Sequence, residues 1–134
     1  MDIQYICEGE NGQPKISNDY NDKIIVSMTS WTKRIKNVKT VLESILFNSE
    51  LPAKIVINLA IEEFPNKEKD LPNDLVTLIN KNNIIEIYWL KHNTKVWKKS
   101  IPTLIRYPNA CVLCIDDDWI YPNDLIKTFY KKHN

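Results

Sequence analysis

The chain has 134 residues, and its 18 basic and 17 acidic residues leave a formal net charge of only +1. A hydrophobic fraction of 43% and a charged fraction of 26% are ordinary for a globular domain with one core. The near balance of charge argues against a nucleic-acid binder that works by bulk electrostatics. No apolar run approaches the ~20 residues that cross a bilayer, and residues 1–4 do not start a signal peptide. We therefore expect a cytoplasmic protein, either free or peripheral at the inner face of the membrane.

Glycine is scarce in this sequence. Its two glycines, Gly9 and Gly12, both precede the first strongly apolar segment. The chain therefore cannot form a Walker loop or a G-x-G-x-x-G phosphate cradle after a strand. Any phosphate would have to be held by a metal, by side chains or by ordinary loop amides.

Apolar strand-like and helix-like segments alternate along most of the chain. Residues 1–22 are predicted to be a lead-in segment, because residues 8–22 are polar and contain turn-forming residues. Residues 23–134 are predicted to form one α/β domain. Its β-branched runs predict strands at 23–28, 53–60, 84–90 and 110–115. Helices are predicted at 34–48, from 71–75 onward, at 98–107, and after Pro122.

This alternation predicts a Rossmann-like, mostly parallel sheet with flanking helices. In such sheets, ligands bind beyond the carboxyl ends of the strands. The candidate functional segments are therefore those that directly follow each strand: residues 29–34, 60–64, 91–99 and 116–119.

The fourth predicted strand runs directly into Asp116, Asp117 and Asp118. Adjacent carboxylates repel one another, and a hard divalent cation such as Mg²⁺ or Mn²⁺ would neutralise them. If the strand continues, Asp116 and Asp118 project to one side and can hold the metal. Asp117 then meets a ribose hydroxyl or a basic partner. The alternative is a solvated acidic turn that caps the helix beginning near Pro122.

Basic side chains follow the third predicted strand, namely Lys95, Lys98 and Lys99. A lysine ammonium suits a diphosphate as a point charge, but taken alone the group is more typical of a solvated helix face, and the aspartates are what favour the diphosphate role.

The hydroxyls of Thr29 and Ser30 and the guanidinium of Arg34 follow the first strand. They could receive a nucleotide base or phosphate, or they could be a plain helix cap with a surface arginine.

Other polar and aromatic residues near these segments carry weaker signals. Glu62 and Glu63 follow the second strand and are expected to face water, and His92 is expected to be an ordinary loop residue. The tryptophans are mostly expected to pack, except that Trp119 could wall a sugar pocket beside the aspartates.

Cys111 and Cys114 spell C-x-x-C within an apolar run. Residues three apart in a strand point to opposite faces, so we interpret them as two small core residues and not as a redox or zinc pair.

Four segments resemble bacterial glycosyltransferases of the GT-A type, close to the family 2-like group. They are residues 24–35, 55–65, 98–102 and 116–122, within a resemblance that spans roughly residues 23–130. The last segment is the most specific of the four, because strand, acids and a Pro-opened helix follow in the expected order.

The resemblance implies a role for each segment. Thr29, Ser30 and Arg34 would lie near the nucleotide base, and Lys98 or Lys99 near the diphosphate. Asp116 and Asp118 would form the D-x-D pair that binds metal, diphosphate and ribose, with Asp117 also at the nucleotide. Alignment on Pro122 instead places Asp117 and Asp118 at the last two acids of a D-x-D-D form, with Ile115 at the position of its first acid.

The implied activity is transfer of a sugar, in hexosyltransferase fashion, from a nucleotide-diphosphate sugar to the hydroxyl of a glycan or other acceptor. A UDP-sugar is the expected donor, and Mn²⁺ or Mg²⁺ is the expected cofactor. Such enzymes have a further half that carries the acceptor base, so this chain is expected to be the donor-binding half.

Other functions remain open from the sequence. One is a non-catalytic nucleotide-binding or assembly module, and another is a Mg²⁺-dependent phosphotransfer domain. The phosphotransfer folds place acids directly after the first strand, whereas here no acid occurs between that strand and Glu43. A purely structural α/β domain would bind no metal.

Overall fold

The computed structural model describes residues 16–90 and 101–133. These residues form a four-stranded sheet with the order β3-β2-β1-β4, in which all pairings are parallel. The strands are β1 (Ile24–Thr29), β2 (Lys54–Ala60), β3 (Ile85–Leu90) and β4 (Cys111–Cys114). The helices are α1 (Val38–Leu46), α2 (Asn73–Lys81), α3 (Ile101–Arg106) and α4 (Leu125–His133), with 3-10 turns at Ile35–Asn37 and Lys67–Asp70. The predicted Rossmann-like sheet with flanking helices is confirmed.

The boundary difference that matters most for the site concerns β4. The strand was predicted over 110–115, but it ends at Cys114, and residues 117–118 form a turn. The predicted helix 34–48 begins as a 3-10 turn and becomes α1 only at Val38. Of the predicted helix 98–107, residues 98–100 lie outside the described residues.

One face of the sheet carries the main core. Alternate residues of β1, such as Val26 and Met28, point to this face together with Ile57 of β2. Helices α1, α2 and α4 cover it, and the buried side chains that they contribute include Val38, Val41, Leu42, Ile45, Leu75 and Ile126. The apolar spacing within α1 places its buried residues on one side of the helix.

The opposite face of the sheet is more polar. Ser27 of β1 lies 2.7 Å, oxygen to oxygen, from Thr103 of α3, and the Asn58 amide of β2 donates to the Thr103 hydroxyl at 3.0 Å. These three side chains are buried, so their hydrogen bonds offset the cost of placing polar groups beneath α3.

The interpretation of both C-x-x-C cysteines as core residues is wrong for Cys114. Cys111 packs against the main core, but Cys114 is exposed. Cys114 pairs with Ser27 in the β1–β4 register, so it lies on the polar face. It is the last residue of β4, an edge strand of the described sheet. Among the described residues, this face is covered chiefly by α3 and the segment before β1.

The lead-in segment is attached to this same face. The Ser17 amide donates to the Arg106 carbonyl at 2.7 Å, and the Asp22 amide to the Asn109 carbonyl at 3.1 Å. The ring of Tyr20 contacts the ring of Tyr107 edge-on, with 5.2 Å between centroids. Residues 1–15, the rest of the predicted lead-in, lie outside the described residues.

An ion cluster around Glu86 of β3 holds α3 and β2 together. One carboxylate oxygen, Oε1, accepts from Arg106 Nη1 at 2.6 Å and from the Tyr107 hydroxyl at 2.6 Å, and Oε2 accepts from Lys54 Nζ at 3.1 Å. Burial alone would raise the pKa of Glu86, but the Tyr107 hydroxyl and the two cations outweigh it and hold that pKa below 4.5. Burial and the bond to Glu86 raise the pKa of Tyr107, so the phenol keeps its proton.

We predict that Glu86→Gln destabilises the fold by ~1–3 kcal/mol at pH 7, because the charged acceptor of this cluster is lost. The pKa of Glu86 is lowered by folding, so its stabilisation is complete above its unfolded pKa and is lost as pH falls through its folded pKa. In urea unfolding, the difference between wild type and variant should therefore shrink below about pH 4.5. Glu50→Gln, at an exposed position, is the control. A difference that grows on acidification would contradict this account.

Within the described residues, no helix is long and apolar enough to cross a membrane.

Candidate functional site

The strand order of the sheet reverses between β1 and β4, and we refer to the region between the loops that follow these two strands as the crevice. From β1 the chain moves to β2 on one side, and after β3 it returns to place β4 on the other side of β1. The β1–β2 connection through α1 and the β3–β4 connection through α3 therefore lie on opposite faces of the sheet, and ligands of open α/β sheets bind where the strand order reverses in this way. The loop after β1 contains Ser30 and Arg34, and the loop after β4 contains Asp116, Asp117 and Asp118.

A buried hydrogen bond joins the two loops. The Ser30 hydroxyl donates to Asp117 Oδ2 at 2.7 Å, and the two residues are only 2% and 7% exposed. The Ile115 amide donates to the Ser27 carbonyl at 2.9 Å, which extends the β1–β4 ladder by one bond and brings Asp117 beside Ser30. A carboxylate this deeply buried needs such a donor, because it has lost most of its hydration.

Arg34 bridges two of the aspartates. Its Nη1 atom lies 3.3 Å from Asp117 Oδ1 and 3.3 Å from Asp118 Oδ2. The Arg34 and Asp118 side chains are 48% and 52% exposed, against 9% for Asp117. Asp117 thus has a basic partner, one of the two roles suggested by the sequence.

The expectation that the side chains of Asp116 and Asp118 project in the same direction depends on the strand continuing through them. Because β4 ends at Cys114 and the aspartates enter a turn, strand alternation does not govern their directions. The two carboxylates that Arg34 brings together are those of Asp117 and Asp118. Which of the three aspartates would bind a metal stays a prediction.

Tyr121 holds residues 116–118, which we call the acidic turn, through its side-chain hydroxyl. The Asp116 amide donates to the Tyr121 hydroxyl oxygen at 2.8 Å, and the Tyr121 amide donates to the Ser44 hydroxyl oxygen of α1 at 3.2 Å. In the sequence, Tyr121 is distinguished only by its place within the segment 116–122, and Ser44 gives no functional signal.

Asn48, just after α1, is a second support that the sequence analysis missed. Its amide nitrogen donates to the Pro122 carbonyl at 3.2 Å, and its Oδ1 accepts from the Ile126 amide at 3.1 Å. Asn48 is buried and therefore ties the start of α4 to the end of α1. The one signal in the sequence was an asparagine at the last position of the predicted helix 34–48.

The remaining predicted site residues fall into two groups. Thr29 lies at the end of β1, but its hydroxyl donates to the Asn58 carbonyl at 2.7 Å and so already bonds within the sheet. Glu62 is exposed, whereas Glu63 is partly buried. The other group, His92, Lys95, Trp97, Lys98 and Lys99, lies outside the described residues.

Two tryptophans are exposed on the loops that carry the site. Trp31 follows Ser30 and is 40% exposed, and Trp119 follows Asp118 and is 61% exposed. Trp89, by contrast, packs in the core and donates its indole N–H to Glu68, as expected of a packing residue. Trp31 is an exception to the expectation that most tryptophans pack, because it lies at the surface with Lys33 Nζ 5.4 Å from its ring centroid.

The residues that could contribute ligands to a divalent cation are the exposed aspartates of the loop after β4. Among residues 16–90 and 101–133, no three acidic, histidine or cysteine side chains converge on one point. Mg²⁺ commonly takes one or two carboxylates and completes its shell with substrate phosphates and water. Asp116 and Asp118, both exposed, offer such carboxylates.

Compared with known protein families and with curated proteins, the sequence matches no family model and no curated protein.

We predict that Ser30→Ala destabilises the protein by ~1–3 kcal/mol, because Asp117 keeps its burial and loses its closest donor. Ser49→Ala, the same substitution at an exposed position, should change stability by less than about 0.5 kcal/mol. Urea unfolding at pH 7 measures both variants. Equal, small effects would show that the Ser30–Asp117 bond does not hold the two loops together.

Proposed function

We propose that this chain is the donor-binding part of a metal-dependent glycosyltransferase of the GT-A type. It would hold a nucleotide-diphosphate sugar in the crevice between β1 and β4. The observation that carries the proposal is the meeting of Ser30 and Arg34 with Asp117 and Asp118 at the switch point of a parallel sheet.

In this proposal each group has a chemical role. Asp118 and Asp116 would hold Mn²⁺ or Mg²⁺, which offsets the charge that develops on the leaving diphosphate. The guanidinium of Arg34 would pair with a phosphate of the donor. Ser30 would keep Asp117 in place beneath them, and Thr29 would lie at the nucleotide end of the crevice.

Lys98 and Lys99 remain predicted diphosphate contacts. Such lysines would supply positive point charges to a diphosphate.

The exposed indoles of Trp31 and Trp119 would form the walls on which a sugar ring packs. An apolar wall beside a few polar groups is the usual composition of a small-molecule pocket. The acceptor base belongs to a further half of such enzymes, so we assign it to no residue of this chain.

A non-catalytic nucleotide-binding module would use the same crevice without turnover. Donor hydrolysis separates the two functions, because an enzyme half can slowly transfer the sugar to water, whereas a binding module leaves the donor intact.

A phosphotransfer domain is less well supported. Its chemistry would need acids directly after β1, but that loop carries Ser30 and Arg34. The first acid after β1, Glu43, lies on α1 and forms an ion pair with Lys39 at 3.7 Å.

We predict that Asp118→Asn weakens Mn²⁺-dependent UDP binding by about tenfold or more, because it removes a charged oxygen ligand (~1.4 kcal/mol). Asp117→Asn should weaken binding as well and should also reduce stability, because Asp117 is buried. Isothermal titration with UDP at saturating Mn²⁺ measures the affinity.

Asp19→Asn is the matched control, since Asp19 is exposed on the lead-in segment. It should bind UDP as the wild type does. If Asp118→Asn and Asp19→Asn bind UDP equally well, the acidic turn is not part of a donor site.

A further inference from the structure

Both ion pairs of Arg34 depend on a single nitrogen. Nη1 contacts Asp117 Oδ1 and Asp118 Oδ2 at 3.3 Å each, which is longer than the ~2.7–2.9 Å of a strong charge-assisted hydrogen bond. Neither carboxylate therefore forms a bidentate pair of hydrogen bonds with the guanidinium. With a side chain that is 48% exposed, Arg34 gains little from these contacts, because water and salt screen them.

Asp117 is held in position by a residue other than Arg34. Asp117 is held by the buried Ser30 hydroxyl at 2.7 Å, so it does not depend on Arg34 for its position. The crevice itself follows from the strand order and is independent of the acids. Arg34 can therefore leave the aspartates without disturbing the frame of the site.

From these contacts we propose that Arg34 is an exchangeable counter-ion. In the ligand-free chain it neutralises Asp117 and Asp118 and so opposes a divalent cation that arrives alone. When the cation arrives with a nucleoside diphosphate, the guanidinium moves onto the diphosphate, whose paired oxygens match its planar edge. The inference rests on the function proposed above for the same crevice, and it predicts that cation and diphosphate bind cooperatively.

The test is to measure two affinities by calorimetry on the full chain, Mn²⁺ alone and UDP at saturating Mn²⁺. Arg34→Gln should bind Mn²⁺ alone roughly fivefold more tightly, because a neighbouring positive charge is removed. It should bind UDP roughly tenfold more weakly, because the charge-assisted phosphate contact is lost. The two affinities thus move in opposite directions.

Two further variants separate charge from shape. Arg34→Lys keeps the charge and loses the planar edge, so its affinity for Mn²⁺ alone should stay near that of the wild type while UDP binding weakens. Lys33→Gln removes the same charge from the adjacent exposed residue, which contacts the Trp31 ring, and it should change neither affinity appreciably. Circular dichroism verifies that each variant is folded.

The outcomes distinguish the two proposals. If the wild type binds Mn²⁺ and UDP but Arg34→Gln shifts both affinities in the same direction, or neither, the counter-ion role is wrong and the donor site stands. An effect of Lys33→Gln equal to that of Arg34→Gln would also overturn the counter-ion role. If the wild type binds neither Mn²⁺ nor UDP, the donor site itself is wrong.

Discussion

The hydrogen bond from Ser30 to Asp117 is the interaction on which the candidate site depends. It connects the ends of β1 and β4, which are neighbours in the sheet but are separated by most of the chain. Loss of this donor from the buried carboxylate would cost about 1–3 kcal/mol, so the bond stabilises Asp117 in this position. Arg34 and Asp118 then meet above it, because each belongs to one of the two joined loops.

The other end of the acidic segment is held by α1. Ser44 and Asn48 bond the chain at Tyr121, Pro122 and Ile126, so the loop after β4 is fixed along the surface of this helix. The same helix packs its apolar side onto the sheet through residues such as Leu42. Helix α1 therefore connects the core to the site, and a substitution that shifts this helix should also shift the aspartates.

Much of the fold could be predicted from the sequence. Runs such as residues 55–57 and the helical spacing of apolar residues in 38–45 specify local structure, and their alternation specifies a parallel sheet. The carboxyl-end rule then selected the loops that contain Ser30, Arg34 and the aspartates. The partner of each side chain could not be predicted, because it depends on where β4 ends and how the next residues turn. The exposure of Cys114 and the Glu86–Arg106 pair likewise depend on strand order and on the position of α3, which local pattern does not encode.

The central claim is that the crevice between β1 and β4 receives a divalent cation and a nucleoside diphosphate together. A crystal structure of the protein with Mn²⁺ and UDP, with data collected at a wavelength where manganese scatters anomalously, tests it most directly. The account predicts an anomalous peak beside Asp118 and a UDP diphosphate that contacts both the ion and Arg34. Manganese absent from the acidic turn, or UDP bound at the amino ends of the strands near Glu86, would contradict it.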